Sequence, residues 1–319
     1  MANYENIPVN NDDRDSDVGS RMFLRAGVAL TAVLAAAGCS MQPEESPIPS
    51  VTASESAVSQ ESAGMEDPAV QARAAQIIST FENSTTEVQY GYAENIDDGR
   101  GITAGRAGFC SGTGDMNLVV KYYTEEKPAN PLAKFAPRLE QIDEQFADSN
   151  WEKPVASTKG LDGLVDAWGK AAKDLKFREA QDKVFNELYL EPSLKRAAGV
   201  KVVDGGIHSA AGELVILDAL IQHGEGTDPD GLPALMNETA KKLGTSNASE
   251  QLYVDVFLGV REQHLQNAAN EETREGWADS VARVGALRQI VDQDPSLRGP
   301  LVFDVYEGDH YELPALTDE

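Results

Sequence analysis

Apolar residues recur at helical spacing along most of the chain. After Asp67-Pro68, an N-cap followed by a proline suited to a first turn, Val70, Ala74, Ile77, Ile78 and Phe81 fall on one face. That pattern runs out at Glu82-Asn83-Ser84, where a helix should end. Met116, Val119, Val120 and Tyr123 predict a second helix, with Ser111 or Thr113 as its cap. Further helical periodicity covers residues 132–146, with a break at Pro137, then 161–172, 177–189, 208–222, 232–243, 250–267 and 277–291. Strand-like runs are few, at 102–109 and 301–306. The pattern predicts an α+β chain that is mainly α-helical with a small β element. No internal repeat is visible, and nothing after residue 67 reads as a second linker.

The front of the chain is patterned differently. Arg21-Met22-Phe23-Leu24-Arg25 leads into small and apolar residues that end in Ala36-Ala37-Gly38-Cys39. The run is too short for a membrane-spanning helix, which needs about 20 residues, and reads as the core of an export signal. Residues 1–38 are expected to direct export and 39–66, rich in Ser, Pro, Glu and Ala, to form a flexible linker; 67–319 then form one domain. The small residues before Cys39 resemble a lipobox, so Cys39 is either a lipidation site or is lost to ordinary signal cleavage. The acidic residues before Ser20 are foreign to a normal signal, which makes Met22 an alternative start. The expected location is extracellular, secreted or tethered to the outer face of a bacterial cell membrane.

Charge narrows the partners. With 27 Lys and Arg against 53 Asp and Glu, the net charge is −26. Nucleic acid is an unsuitable ligand, and a polycation is a suitable one, although the same charge also serves solubility. Two cysteines give no disulfide framework, and four scattered histidines offer no zinc set, so neither metal nor cofactor is expected. Cys110 has no histidine at catalytic spacing and reads as a small buried hydrophobe.

Two carboxylates stand in contrasting settings. Glu82 follows Phe81 where the apolar face ends, partly desolvated and near the negative end of the helix dipole, which disfavours its charged form. Asp98, in Asp97-Asp98-Gly99-Arg100-Gly101, is flanked by glycines that allow a sharp turn and leave it accessible and ionised. One neutral and one ionised carboxyl is the pairing used to cleave glycosidic bonds. Asp218 interrupts the apolar Leu214–Ile221 run and needs a partner, for which Arg261 in Val256–His264 is the best candidate. His223, beside Gly224, reads as the end of its helix or as a sugar contact, and Tyr92 as a core residue or a sugar contact.

The segment FENSTTEVQYGYAENIDDGRGITAGRAGFCSGTGDM, residues 81–116, resembles the start of the catalytic domain of glycoside hydrolase family 46, the endo-chitosanases. It has Glu-Asn-Ser at a helix end, Tyr-x-Tyr, Asp-Gly-Arg-Gly with a threonine two residues on, and Gly-Phe-Cys-Ser-Gly-Thr-Gly-Asp. Weaker similarity continues through LVILDALIQHGEGTDP and YVDVFLGVREQH, so the resemblance spans roughly residues 70–316. It implies a lysozyme-like fold of two lobes with a substrate cleft between them, acting as a monomer. The implied activity is endo-hydrolysis of β-1,4 bonds in chitosan or chito-oligosaccharides with inversion. By position Glu82 becomes the acid, Asp98 the base, and Thr103 the holder of the attacking water. Asp115 then binds the sugar amine, where its alternative is helix capping, and Arg100 belongs to the loop or touches sugar. Asp218 and Arg261 form a relay behind Glu82, or an ion pair that holds the fold. A second relay arginine is not placed by the resemblance, Arg274 being the candidate. Ile102 stands where the family usually has tyrosine. The rival readings are a lysozyme-like peptidoglycan hydrolase and a non-catalytic polysaccharide-binding lipoprotein.

Overall fold

The computed structural model describes residues 64–96, 99–147, 156–226, 229–269 and 274–317. Asp98 and Cys39, with the expected export signal and all of the linker up to residue 63, lie outside the described residues. The packed chain begins slightly before the expected boundary, because Met65 is fully buried and its N–H donates to Glu213 at 2.6 Å.

Helix α1 (Pro68–Asn83) starts where its cap predicts, with the Asp67 carboxylate accepting from the Ala69 N–H at 2.8 Å. It ends at Ser84, which takes a left-handed conformation at φ 49°. Three short antiparallel strands follow: β1 (Ala93–Asn95), β2 (Ile102–Ala104) and β3 (Phe109–Cys110). The run expected as one strand over 102–109 is two strands, folded back through Gly105 and Gly108, both at positive φ.

Helices α2 (Asp115–Glu126) and α4 (Leu164–Ala171) pack on this sheet, while α3 (Ala136–Ala147) and α5 (Leu175–Phe185) pack on α2. Pro137 sits in the first turn of α3, after a 3₁₀ turn over Ala133–Phe135, so the expected break is the place where the α-helix begins. The helix expected over 177–189 loosens into a π turn, Asn186–Leu190, before α6 (Glu191–Ala198).

The second lobe is built on α7 (Ala210–His223), whose residues are buried on nearly every side, as a central core helix must be. Around it lie α1, α6, α8 (Leu232–Leu243), α9 (Glu250–Gln266) and α11 (Val281–Gln293). Short α10 (Arg274–Asp279) precedes α11. The chain closes with the hairpin β4 (Leu301–Asp304) and β5 (His310–Leu313), with Leu301 opposite Leu313 and Asp304 opposite His310. One contiguous apolar core joins the lobes, from Val70 and Phe81 of α1 through Trp168 and Phe177 to Leu217 and Ile290.

Candidate active site

Glu82 occupies the last turn of α1 with its side chain 12% exposed. Its carboxylate meets the Arg283 guanidinium at 2.7 Å, and the same Nη2 donates to the Asp218 carboxylate at 2.5 Å. Asp218 is completely buried and pairs through its other oxygen with Arg261 at 2.6 Å. The four side chains come from α1, α11, α7 and α9, and form a continuous path from buried Arg261 to the partly exposed acid.

Burial alone would oppose charge on Asp218. Arg283 and Arg261 more than offset it and hold its carboxyl below the usual carboxylate range. The expected relay partner Arg274 is corrected to Arg283. Arg274 is exposed on α10 and donates to the Ala268 carbonyl at 3.1 Å, whereas Arg283 is 1% exposed and stacks its guanidinium 5.3 Å from the Phe81 ring. A buried arginine in the first turn of α11 gave no sequence signal, since it sits in Val-Ala-Arg-Val like any exposed helical residue.

His223 is not a sugar contact in this structure. Its ring lies inside the protein, with Nδ1 donating to the Asp230 carbonyl at 2.8 Å and Nε2 accepting from Arg261 Nε at 3.2 Å. Burial and the Arg261 charge hold it neutral, its protonated form strongly disfavoured. Its neighbour Gly224 faces the cavity instead.

The opposite wall is the sheet. Pairing of Glu94 with Thr103 and of Thr103 with Cys110 puts these three side chains in one row across it. Thr103 is buried, and its hydroxyl lies 3.4 Å from the Cys110 sulfur. Gly101, at φ 85°, must be glycine, because a Cβ there would collide with the Ser111 hydroxyl that accepts from the Ile102 N–H at 3.0 Å.

Asp115 opens α2, and one of its oxygens accepts from the Cys110 N–H at 2.9 Å, the Thr113 hydroxyl at 2.7 Å and the Met116 N–H at 2.8 Å. Burial pushes this carboxyl up, against the pull of those hydrogen bonds and of Arg100. The expected cap of α2 is corrected too. Gly114 at φ 86° occupies the N-cap, with Thr113 turned onto Asp115 and Ser111 spent on Ile102.

Glu82, Arg100, Thr103 and Asp115 line one cavity of about 250 Å³, closed by Leu188 and Tyr189 of the π turn. Tyr189 was not anticipated; only the loosened helix places it there, and burial drives its hydroxyl far above the ordinary tyrosine range. Tyr92 stands off this cavity, its hydroxyl donating to Glu94 at 2.9 Å. A larger groove of about 1080 Å³ lies beyond Arg106 and Phe185, but neither Glu82 nor Asp115 reaches it. The smaller cavity is where acid, hydroxyl and carboxylate converge, as hydrolysis of a polar polymer requires.

The profile of the family described as Glycosyl hydrolase family 46 matches residues 76–301. A chitosanase of Bacillus subtilis (strain 168) is 43% identical over 233 residues, which is 72% of this chain and 79% of that protein. The crystal structure of native chitosanase from Bacillus subtilis MY002 aligns with a TM-score of 0.67 at 41% identity, covering 77% of this chain and 99% of that one. A GH46 chitosanase of Gynuella sunshinyii in complex with chitotetraose aligns with a TM-score of 0.66 at 40% identity, covering 78% and 98%.

Proposed function

This chain belongs to glycosyl hydrolase family 46, with its lysozyme-like fold, and is an endo-acting glycoside hydrolase of chitosan; from that premise we propose how its residues divide the work. Glu82 protonates the leaving glycosidic oxygen while a second carboxylate draws a proton from water on the far side of the sugar, giving inversion. The observation that carries this reading is the placement of Glu82 at the cavity edge on a buried chain of Arg283, Asp218 and Arg261, facing Thr103 and Asp115. A carboxyl so anchored has one rotamer to offer, and a proton donor gains from arriving already oriented.

Asp98 is the base in this proposal. Its support is the Asp-Gly-Arg-Gly match and the described backbone on either side, since Asn95 pairs with Ile102 and Thr103 follows on the cavity wall. Inverting enzymes keep their two carboxyls roughly 6.5–9.5 Å apart so that water fits between them. Thr103 steadies that water, and Asp115 accepts the ammonium of a glucosamine unit. A cationic sugar beside Asp115 favours its charged form and so counters the burial that opposes it. Arg100 keeps the loop closed beside it.

The proposal extends to the amino terminus, where residues 1–38 export the protein, 39–63 tether it and the chain from residue 64 onward forms the catalytic domain, since Met65 is already packed into it. Cys39 carries a lipid in this reading, and the mass of the mature amino terminus tests it. The chain works as a monomer, with no cofactor.

Replacing Glu82 by Gln tests the assignment. Chitosan hydrolysis should fall roughly 10²- to 10⁴-fold, with glucosamine oligomers still bound. Unchanged activity would remove Glu82 from the mechanism. Release of fragments from bacterial sacculi but not from chitosan would transfer the enzyme to peptidoglycan.

A further inference from the structure

The two halves of the Glu82–Arg283 pair sit on helices nearly 200 residues apart in sequence, α1 ending at Asn83 and α11 starting at Val281. The carboxyl-terminal hairpin holds both. On the α11 side, Gln293 accepts from the Val302 N–H at 2.9 Å and donates to the Val302 carbonyl at 2.7 Å, and Gln289 accepts from the Asp304 N–H at 3.2 Å. On the α1 side, the Tyr306 hydroxyl donates to the Phe81 carbonyl at 3.2 Å, and the Tyr311 hydroxyl lies beside the Ser84 side chain. Arg73 of α1 donates to the carbonyls of Gly299 and Pro314, on either side of the hairpin.

Tyr306 stands in the turn between the strands and grips α1 from there. The Phe81 carbonyl is one of the last four of its helix, which have no partner inside the helix. It also belongs to the peptide unit that enters Glu82, so a donor fixed on it fixes the backbone from which the acid projects. The family profile ends at residue 301, so the hairpin beyond Leu301 falls outside it.

We propose that this hairpin is a clamp across the Glu82–Arg283 pair and that Tyr306 is a positioning residue for Glu82. The proposal rests on Glu82 being the proton donor. It gives the hydroxyl of Tyr306 a consequence that packing alone would not have. Loosening the Phe81–Glu82 peptide misaims the acid, which harms proton delivery to the leaving oxygen and nothing else.

The test compares two substrates. Chitosan needs a proton on its leaving oxygen, whereas the β-fluoride of a glucosamine oligomer expels fluoride without one. Tyr306→Phe keeps the ring and removes the hydroxyl. Its kcat on chitosan should drop on the order of tenfold with KM within about twofold, while its rate on the fluoride stays at the wild-type level. An equal fall on both substrates would mean less native enzyme and would overturn the proposal, as would no fall on either. If Tyr306→Phe does not fold, Tyr311→Phe loosens the same clamp at Ser84 and must show the same split between substrates, with equal rates again overturning it. Glu82→Gln is run alongside. Loss on chitosan with the fluoride rate preserved upholds Glu82 as acid, so a null result at Tyr306 then counts against the clamp alone. Equal loss on both substrates in Glu82→Gln would withdraw the acid assignment and the clamp with it.

Discussion

The two walls of the cavity solve one problem, holding a carboxylate in place, by opposite means. On the helical wall Glu82 and Asp218 are held by arginine side chains from α9 and α11, three of the four groups being almost wholly out of water. On the sheet wall Asp115 is held by the Cys110 and Met116 N–H groups and the Thr113 hydroxyl, with glycines at positive φ giving the backbone its path. The first design is stiff and intolerant, because each buried charge depends on the next. The second is local: its donors lie within five residues of the acceptor, so a substitution there disturbs one turn. A proton donor needs a fixed aim, and a group that receives a mobile polymer does not.

The widest gap between the walls should appear on removing Asp218. Asp218→Ala leaves Arg261 and Arg283 buried without their shared anion, and is expected to cost about 3–5 kcal/mol. Urea denaturation measures it, and kcat should fall with stability because Arg283 loses the contact that aims it at Glu82. Asp115→Ala should cost less, about 1–2 kcal/mol, since only local hydrogen bonds are lost. Its larger effect should fall on KM for chitosan, which would rise while kcat changes little. If Asp115→Ala destabilised the chain as much as Asp218→Ala, the contrast between the walls would be wrong.

What the sequence disclosed follows the same division. The local features of the sheet wall were legible, because glycines around an arginine and Gly-Phe-Cys-Ser-Gly-Thr-Gly-Asp are contiguous and each residue's neighbours in sequence are its neighbours in space. The helical wall was legible where an apolar face ended, at Glu82, and where a charge broke an apolar run, at Asp218 and Arg261. Arg283 was missed, and Arg274 offered in its place, because α11 is weakly patterned and its buried arginine looks like a solvated one. His223 does end its helix, one of its two readings; what the sequence could not show is its burial, which depends on Asp230, Arg261 and Trp277 arriving from elsewhere. The bounds of α1 and α7 were read well from caps and periodicity, whereas the π turn that sets Tyr189 left no periodic trace.

Acid separates the walls by sign as well as by size. Asp218 is held below its ordinary range, so the stability it contributes is present above the unfolded value of about 4 and is lost as pH falls through its lower folded value. Asp143 behaves oppositely. Lying on α3, which packs against α2, it accepts from the Gly114 N–H at 3.1 Å, and burial with the nearby Asp115 and Glu140 pushes it up to about 6. Its folded form therefore binds a proton more readily than its unfolded form, and its contribution is present below about pH 4 and lost as pH rises through about 6. Asp143→Asn keeps an acceptor for Gly114 while removing the charge. The variant should match the wild type at pH 4 and exceed it at pH 7.5 by under about 1 kcal/mol, the shift being discounted because the group is partly exposed. Thermal unfolding at the two pH values measures this, the smallest of the effects. A variant less stable than wild type at pH 7.5 would mean that the ionised carboxylate is what caps α2, and that this part of the sheet wall depends on charge after all.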